Sequence, residues 1–275
     1  MVLTRELSPL FFHYLKYNIL EYKYSTSKYG HENLFGISLD SPRTHLNDTV
    51  NFIAPLSKTS LDGKAHVVSP FLWQAPNSNA ALFFGDKWVE LHDFVSHILS
   101  SQHLLPTPAT LNEKLVSKTN PSWMEHILKL ARARGYWTLY PSFESSDALA
   151  TTHHELYQPP EEYAEDLEAE AASSEFTADP ARHLSLKQKE KALIAQSTKS
   201  LLSILPFGGD LPQIADMPLL SWDGKVSDAA GITTQAADYT KVFRREIGGC
   251  IATAVQKVRV HLRATDLFCL DDGSS

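Results

Sequence analysis

The side chains able to do chemistry here are two carboxylates near helix starts, an imidazole pair, a guanidinium at a turn, and an aromatic–amide cluster. Glu125 and Asp86 carry carboxylates, which accept protons when a reaction needs a base. Ser122-x-x-Glu125 also has the spacing of a capping box, and Asp86 stands where a helix N-cap is expected. His153 and His154 follow an L-Y-P segment. Neutral imidazole is a good ligand for a divalent cation, and the other reading is a pair on a surface loop. Arg43 follows Pro42, where a guanidinium either clamps a phosphate or carboxylate or closes a structural salt bridge. Trp73, Gln74 and Asn77 lie close together. The indole either packs in the core or stacks on a ligand whose hydroxyls the amides bridge.

The patterns of several commoner chemistries are absent. The chain has no GxGxxG, GxxxxGK[ST], GxSxG or HExxH. Gly36-Ile37-Ser38-Leu39-Asp40 departs from the nucleophile elbow at its last position. Cys250 and Cys269 form no metal-ligand pattern and read either as free thiols or as one bridge. The net charge of -7 and the scatter of Lys and Arg argue against nucleic acid as a partner. No apolar run is long enough to span a bilayer, and the N-terminus has no signal-peptide pattern. The chain is therefore expected to be soluble. Its 275 residues, 43% of them hydrophobic, can bury one large core or two small ones.

Positioning these groups requires alternating strands and helices. Ser8-Pro9 reads as N-cap and N1 of a helix running from Leu10 to about Tyr22. Leu34–Leu39 and Ala80–Phe84 read as strands, with a long Pro/Ser/Thr/Asn-rich loop over 40–70. A helix capped by Asp86 is expected from Lys87 to about Ser101, and Trp88, Phe94 and Trp123 are expected in the core. Trp123, Met124, Ile127, Leu128 and Ala131 recur at helical spacing. Gly135 supplies a left-handed C-cap, and Arg132 and Arg134 suit the dipole of the last turn. Tyr136–Tyr140 then reads as a strand closed by Pro141. The acid-rich stretch after Pro160 reads as a solvated face or linker. Ser185–Leu205 reads as a helix halted by Pro206-Phe207-Gly208-Gly209, and Leu211–Lys225 as irregular.

Several motifs occur together and in order. They are Gly36-Ile37-Ser38-Leu39 with Pro42-Arg43; Pro70-Phe71-Leu72-Trp73-Gln74-Ala75-Pro76; Phe83-Phe84-Gly85-Asp86-Lys87-Trp88; Ser122–Pro141; His154-Glu155-Leu156-Tyr157; and Pro218–Gly224. In this combination, over roughly residues 6–249, the chain resembles a fungal and plant family of family-2-like glycosyltransferases. The resemblance implies an α/β fold: a GT-A-like, Rossmann-like mixed sheet flanked by helices, with a helical or irregular C-terminal extension. It implies transfer of a sugar from a nucleotide-sugar to a glycan or other hydroxyl acceptor, assisted by Mn²⁺ or Mg²⁺. Among individual residues, it implies Glu125 as the base, His154 as a cation ligand, and Arg43, Trp73, Gln74 and Asn77 as substrate-binding groups. Helix capping stays open as an alternative for Glu125.

The chain departs from the family at one motif. Family members carry an acidic L-E-D-D type segment before E-[VL]-S-P, whereas Glu6-Leu7-Ser8-Pro9 follows Met1-Val2-Leu3-Thr4-Arg5. The expectation is an acceptor-side part of a transferase shortened before or within that motif. Catalysis is then impaired, and a non-catalytic binding or interaction module is the alternative. The expected organisation is 1–160 acceptor-side domain, 161–249 acidic linker and helical extension, and 250–275 poorly ordered tail. The family implies a Golgi or secretory-membrane setting, although the chain has no anchor or signal pattern.

Overall fold

In the computed structural model the chain is described over residues 3–24, 31–42, 44–46, 51–56, 69–77, 80–101, 114–116, 122–143, 149–154, 200–251 and 257–269. The strands are β1 (Leu3–Leu7), β2 (Leu34–Ser38), β3 (Phe71–Trp73), β4 (Ala81–Phe83), β5 (Trp137–Tyr140), β6 (Ala150–His154), β7 (Leu219–Leu220) and β8 (Val226–Ser227). The helices are α1 (Phe11–Tyr22), α2 (Gly85–Ser101), α3 (Trp123–Arg134), α4 (Leu201–Ile204) and α5 (Ala229–Glu246). The protein is α/β, with a mixed six-stranded sheet in the order β4-β2-β5-β3-β7-β8 flanked by helices. β2 runs parallel to β5 and β3 parallel to β7, while β3 is antiparallel to β5. β1 and β6 form a separate antiparallel pair.

Side-chain alternation splits the core between the two sheet faces. On β5, Trp137 and Leu139 enter one apolar cluster with Tyr14 and Tyr22 of α1, together with Leu72 and Leu219. Their neighbours point the other way. Tyr136 joins Phe94 and Ile98 of α2, Ile127 and Leu130 of α3, and Phe243 of α5. Tyr140 joins Phe71, Trp73 and Leu220. Leu34 and Ile37 of β2 share the first cluster although they are three residues apart. A register shift against β5 between Leu34 and Gly36 makes this possible.

The stretch Ser122–Pro141 forms the helix and strand its pattern predicts. Ser122 Oγ accepts from the Met124 amide at 3.3 Å, and Gly135 closes α3 at φ 69°. Four expectations are corrected. First, α1 begins at Phe11 with Leu10 at its cap, because the Phe11 amide bonds Ser8 O at 2.9 Å and a turn precedes the helix. Second, α2 begins at Gly85, so Asp86 lies inside the first turn and its carboxylate reaches Lys23 Nζ at 3.2 Å instead of capping. Third, Trp88 and Trp123 are 45% and 47% exposed. Their rings meet each other and Phe83 on the outside of edge strand β4, while Phe94 is buried as expected. Fourth, the stretch read as irregular contains β7, a two-residue strand too short to show alternation, and β8 follows directly after it.

Within the stretch 250–275 expected to be a poorly ordered tail, the described residues 257–269 pack: Ala264, Leu267 and Phe268 lie in the core beside α2, α3 and α5. Cys250 and Cys269 form one disulfide, the bridged alternative of the two readings. Arg134, expected at the helix end for its charge, is buried against Glu90 and Asp266 at 2.8 and 2.6 Å.

Candidate functional site

The parallel strands β2 and β5 end side by side at Ser38 and Tyr140. Asn77 Nδ2 donates to Ser38 Oγ at 2.7 Å, Ser38 Oγ donates to Asp40 O at 2.6 Å, and Ser41 Oγ donates to Pro141 O at 3.1 Å. Asn77 is thus committed to this strand end, near the Ser41–Pro141 contact. Arg43 lies outside the described residues. His154 stands on β6 in register with Leu3, and His153 with Thr4.

Glu125 sits in the first turn of α3 and is 6% exposed. Its carboxylate accepts from the Val116 amide at 2.5 Å and lies 3.9 Å from Lys129 Nζ, one helical turn on. Trp73 is 2% exposed, with its ring stacked on Phe52 at 5.0 Å and tilted against Tyr140 at 5.7 Å. Of its two readings, the structure has the packed one. The work of this indole is positional: Nε1 donates to Ser221 O at 2.9 Å, holding the end of β7 against the end of β3.

Gln74 continues that contact. Its backbone amide donates to Leu220 O at 3.1 Å, and its Oε1 accepts from the Trp222 amide at 3.3 Å. The turn between β7 and β8 therefore hangs from the segment after β3. Its shape comes from Ser221-Trp222-Asp223-Gly224-Lys225. Ser221 Oγ donates to Asp223 Oδ1 at 2.5 Å, and Lys225 Nζ pairs with Asp223 Oδ2 at 2.7 Å. Gly224 takes φ 81°, and a Cβ there would fall 2.5 Å from His45. Burial alone would raise the Asp223 pKa, but the bonds from Lys225 and Ser221 outweigh it and hold the carboxyl below the usual range.

A cavity of about 510 Å³ opens beside this turn, walled by Gln74 and Ser221–Asp223 on one side and by α5 on the other. Arg132 lies between the two walls. Its guanidinium carbon is 3.9 Å from the centre of the Trp222 ring and 4.1 Å from that of Tyr239, so two aromatic rings pack against it. Among the described residues Arg132 makes no hydrogen bond or ion pair, and its Nε is buried. Gln74 is the sequence-expected residue that lines this cavity. Trp73 supports it from behind, while Asn77 and Glu125 are not among the residues that line it. Arg132, Trp222 and Tyr239 were not singled out from the sequence as site residues. The available signal was the turn-forming S-W-D-G run.

Comparison with protein-family models, curated proteins and solved structures gave no match for this chain.

Proposed function

We propose that this chain is a glycosyltransferase-like protein, built to present an acceptor hydroxyl to a nucleotide-sugar on a GT-A-like sheet. One observation supports it most: motifs that carry the family resemblance, far apart in sequence, are neighbours in space. Phe71-Leu72-Trp73 and Leu219-Leu220 are paired parallel strands, joined at their ends by Trp73 to Ser221 and Gln74 to Trp222. The strand leading into Glu6-Leu7-Ser8-Pro9 pairs with the strand ending in His153-His154. Such pairings are expected if the motifs are parts of one inherited site, and chance matches would not require them.

Mn²⁺ or Mg²⁺ belongs to the same reading. These cations take several oxygen ligands. The acidic segment of the family's pattern has no counterpart in Leu3-Thr4-Arg5, and no step is derived through a cation. The same observation favours a second reading, a non-catalytic module that keeps the acceptor-side surface.

Thermal unfolding with UDP or GDP, with and without Mn²⁺, separates the two. A nucleotide bound at about 100 times its Kd stabilises by roughly 2.7 kcal/mol. Stabilisation, with sugar transfer from the matching donor, is expected for the enzyme. No shift with any nucleotide rejects the transferase and leaves the binding module.

A further inference from the structure

We propose that the cavity beside Arg132 is a recognition site for the carboxylate of an acidic, sugar-sized ligand. The case begins with the geometry of one side chain. Trp222 and Tyr239 pack against the guanidinium at 3.9 and 4.1 Å, and a hydrogen-bonding partner would meet the N–H donors along its edge. No described residue supplies a hydrogen bond or an ion pair to that edge. A partly buried cation held by ring faces alone is under-satisfied, and an oxyanion is what satisfies it.

The carboxylates already lining the cavity are engaged. Asp223 is held by Lys225 and Ser221, at 2.7 and 2.5 Å, and Asp238 by Lys241 at 3.1 Å. Arg132 therefore keeps its attraction for an incoming anion. The planar fork of Arg matches a planar carboxylate in two parallel bonds. The cavity volume of about 510 Å³ is in the ordinary range for small-ligand sites. Gln235 and Asp238 line the opposite wall and can bond hydroxyls of a polyhydroxylated ring.

The site is also separate from the end of β2 and β5. β3 is antiparallel to β5, so Gln74 and Ser221 leave the sheet at the edge opposite Ser38 and Tyr140. An acidic residue held here is one distant from the strand end where Asn77 and Ser38 meet. The carboxylate part of the proposal stands on Arg132 alone, while the sugar part rests on the transferase reading above.

The test is a ¹⁵N NMR titration of the full chain with glucuronate, glucose, glucose 6-phosphate and acetate, without nucleotide or metal. Glucuronate should move the Trp222 indole and the Arg132 Nε signals saturably, leaving the Trp88 and Trp123 indoles unmoved. Glucose should bind at least about tenfold more weakly, as should the R132Q variant, because each loses the charge-assisted pair of hydrogen bonds. The R132K variant keeps the charge and loses the fork, so weakened binding is expected there too, and it serves if R132Q does not fold. Equal affinity for glucose and glucuronate, a preference for the phosphate, or undiminished binding in both variants overturns the site. Acetate binding as tightly as glucuronate overturns its sugar part. Because no nucleotide is present, a negative result in the UDP or GDP experiment does not affect this one.

Discussion

Replacing Arg134 with methionine tests whether the end of the chain is part of the fold. Arg134 Nε donates to Glu90 Oε1 at 2.8 Å, and its two terminal nitrogens donate to the Asp266 carboxylate at 2.7 and 2.6 Å. The three side chains are 6%, 3% and 2% exposed. Glu90 also accepts from Tyr136 Oη at 2.5 Å and from Arg259, which itself contacts the Tyr136 hydroxyl. Methionine fills much of the same volume but leaves Asp266 and Glu90 as buried carboxylates without their main partner. Removing one member of a buried ion pair costs about 3–5 kcal/mol. That is a large part of the roughly 5–15 kcal/mol that holds a domain together, and the melting temperature should fall by on the order of 10 °C. Urea melts followed by circular dichroism would measure it, with K241M as the comparison. Lys241 and Asp238 are 78% and 69% exposed, and breaking such a pair should change stability by less than about 0.5 kcal/mol. The double variant R134M/D266L should cost less than the sum of the singles, because it removes an orphaned charge along with its partner. If R134M costs no more than K241M, the polar cluster is not buried as described and residues 257–269 do not belong to the core.

Three further outcomes are expected. His126 is half-buried, and burial, with Lys129 adding to it, holds its imidazole below the ordinary pKa near about 6.5. The unfolded chain then binds more protons than the folded one below that pH, so stability is full above it and falls as the solution is acidified. H126Q should flatten the fall between roughly pH 7 and 5 in urea midpoints, and identical slopes would contradict it. Gly135→Ala should cost about 1–2 kcal/mol in thermal melts, because φ is 69° while the added Cβ meets Ile232 at an ordinary 3.5 Å; a stabilised variant would refute the left-handed cap. C250S/C269S opens a loop with a sequence separation of 19 and should lose about 3 kcal/mol, matched by reduction of the wild type; no loss on reduction would mean the strap is held by Arg134 and Arg263 alone.

What was legible in the sequence was what is local. The α3–β5 unit is written in consecutive residues: Ser122 caps, the apolar positions repeat at helical spacing, and Gly135 ends the helix by a conformation other residues avoid. The tryptophans were less legible, because an indole prefers burial wherever the fold provides room. Phe94 on the inner side of α2 finds it, and Trp88, six residues earlier, stacks on Phe83 outside. α5 carries Ile232, Ala236, Tyr239 and Phe243 at helical spacing and an Asp228 cap on the Gly231 amide. That pattern, like the one of α3, is local. The polar burial of Arg134 was not legible at all. Its partners Glu90 and Asp266 are 44 and 132 residues away, and nothing local distinguishes it from an arginine serving a helix dipole.

The same contrast separates Arg132 from Arg134, two residues apart on one helix end. Arg134 turns inward and meets two carboxylates, so its charge is spent within the fold. Arg132 turns toward the Trp222 and Tyr239 rings, and among the described residues it makes no hydrogen bond or ion pair. Stability alone would be served as well by a neutral side chain between those rings, since a cation over an aromatic returns about 0.5–2 kcal/mol and loses hydration for it. Gln74 and Trp73 nonetheless fasten the Trp222 turn in place with bonds to the Trp222 amide and Ser221 carbonyl. A turn anchored that firmly against an unneutralised guanidinium is arranged for a ligand's charge, and W222A should therefore weaken glucuronate binding while leaving the unfolding free energy from urea melts within about 1 kcal/mol of wild type. A large loss of stability with unchanged binding would instead mark the sandwich as ordinary packing.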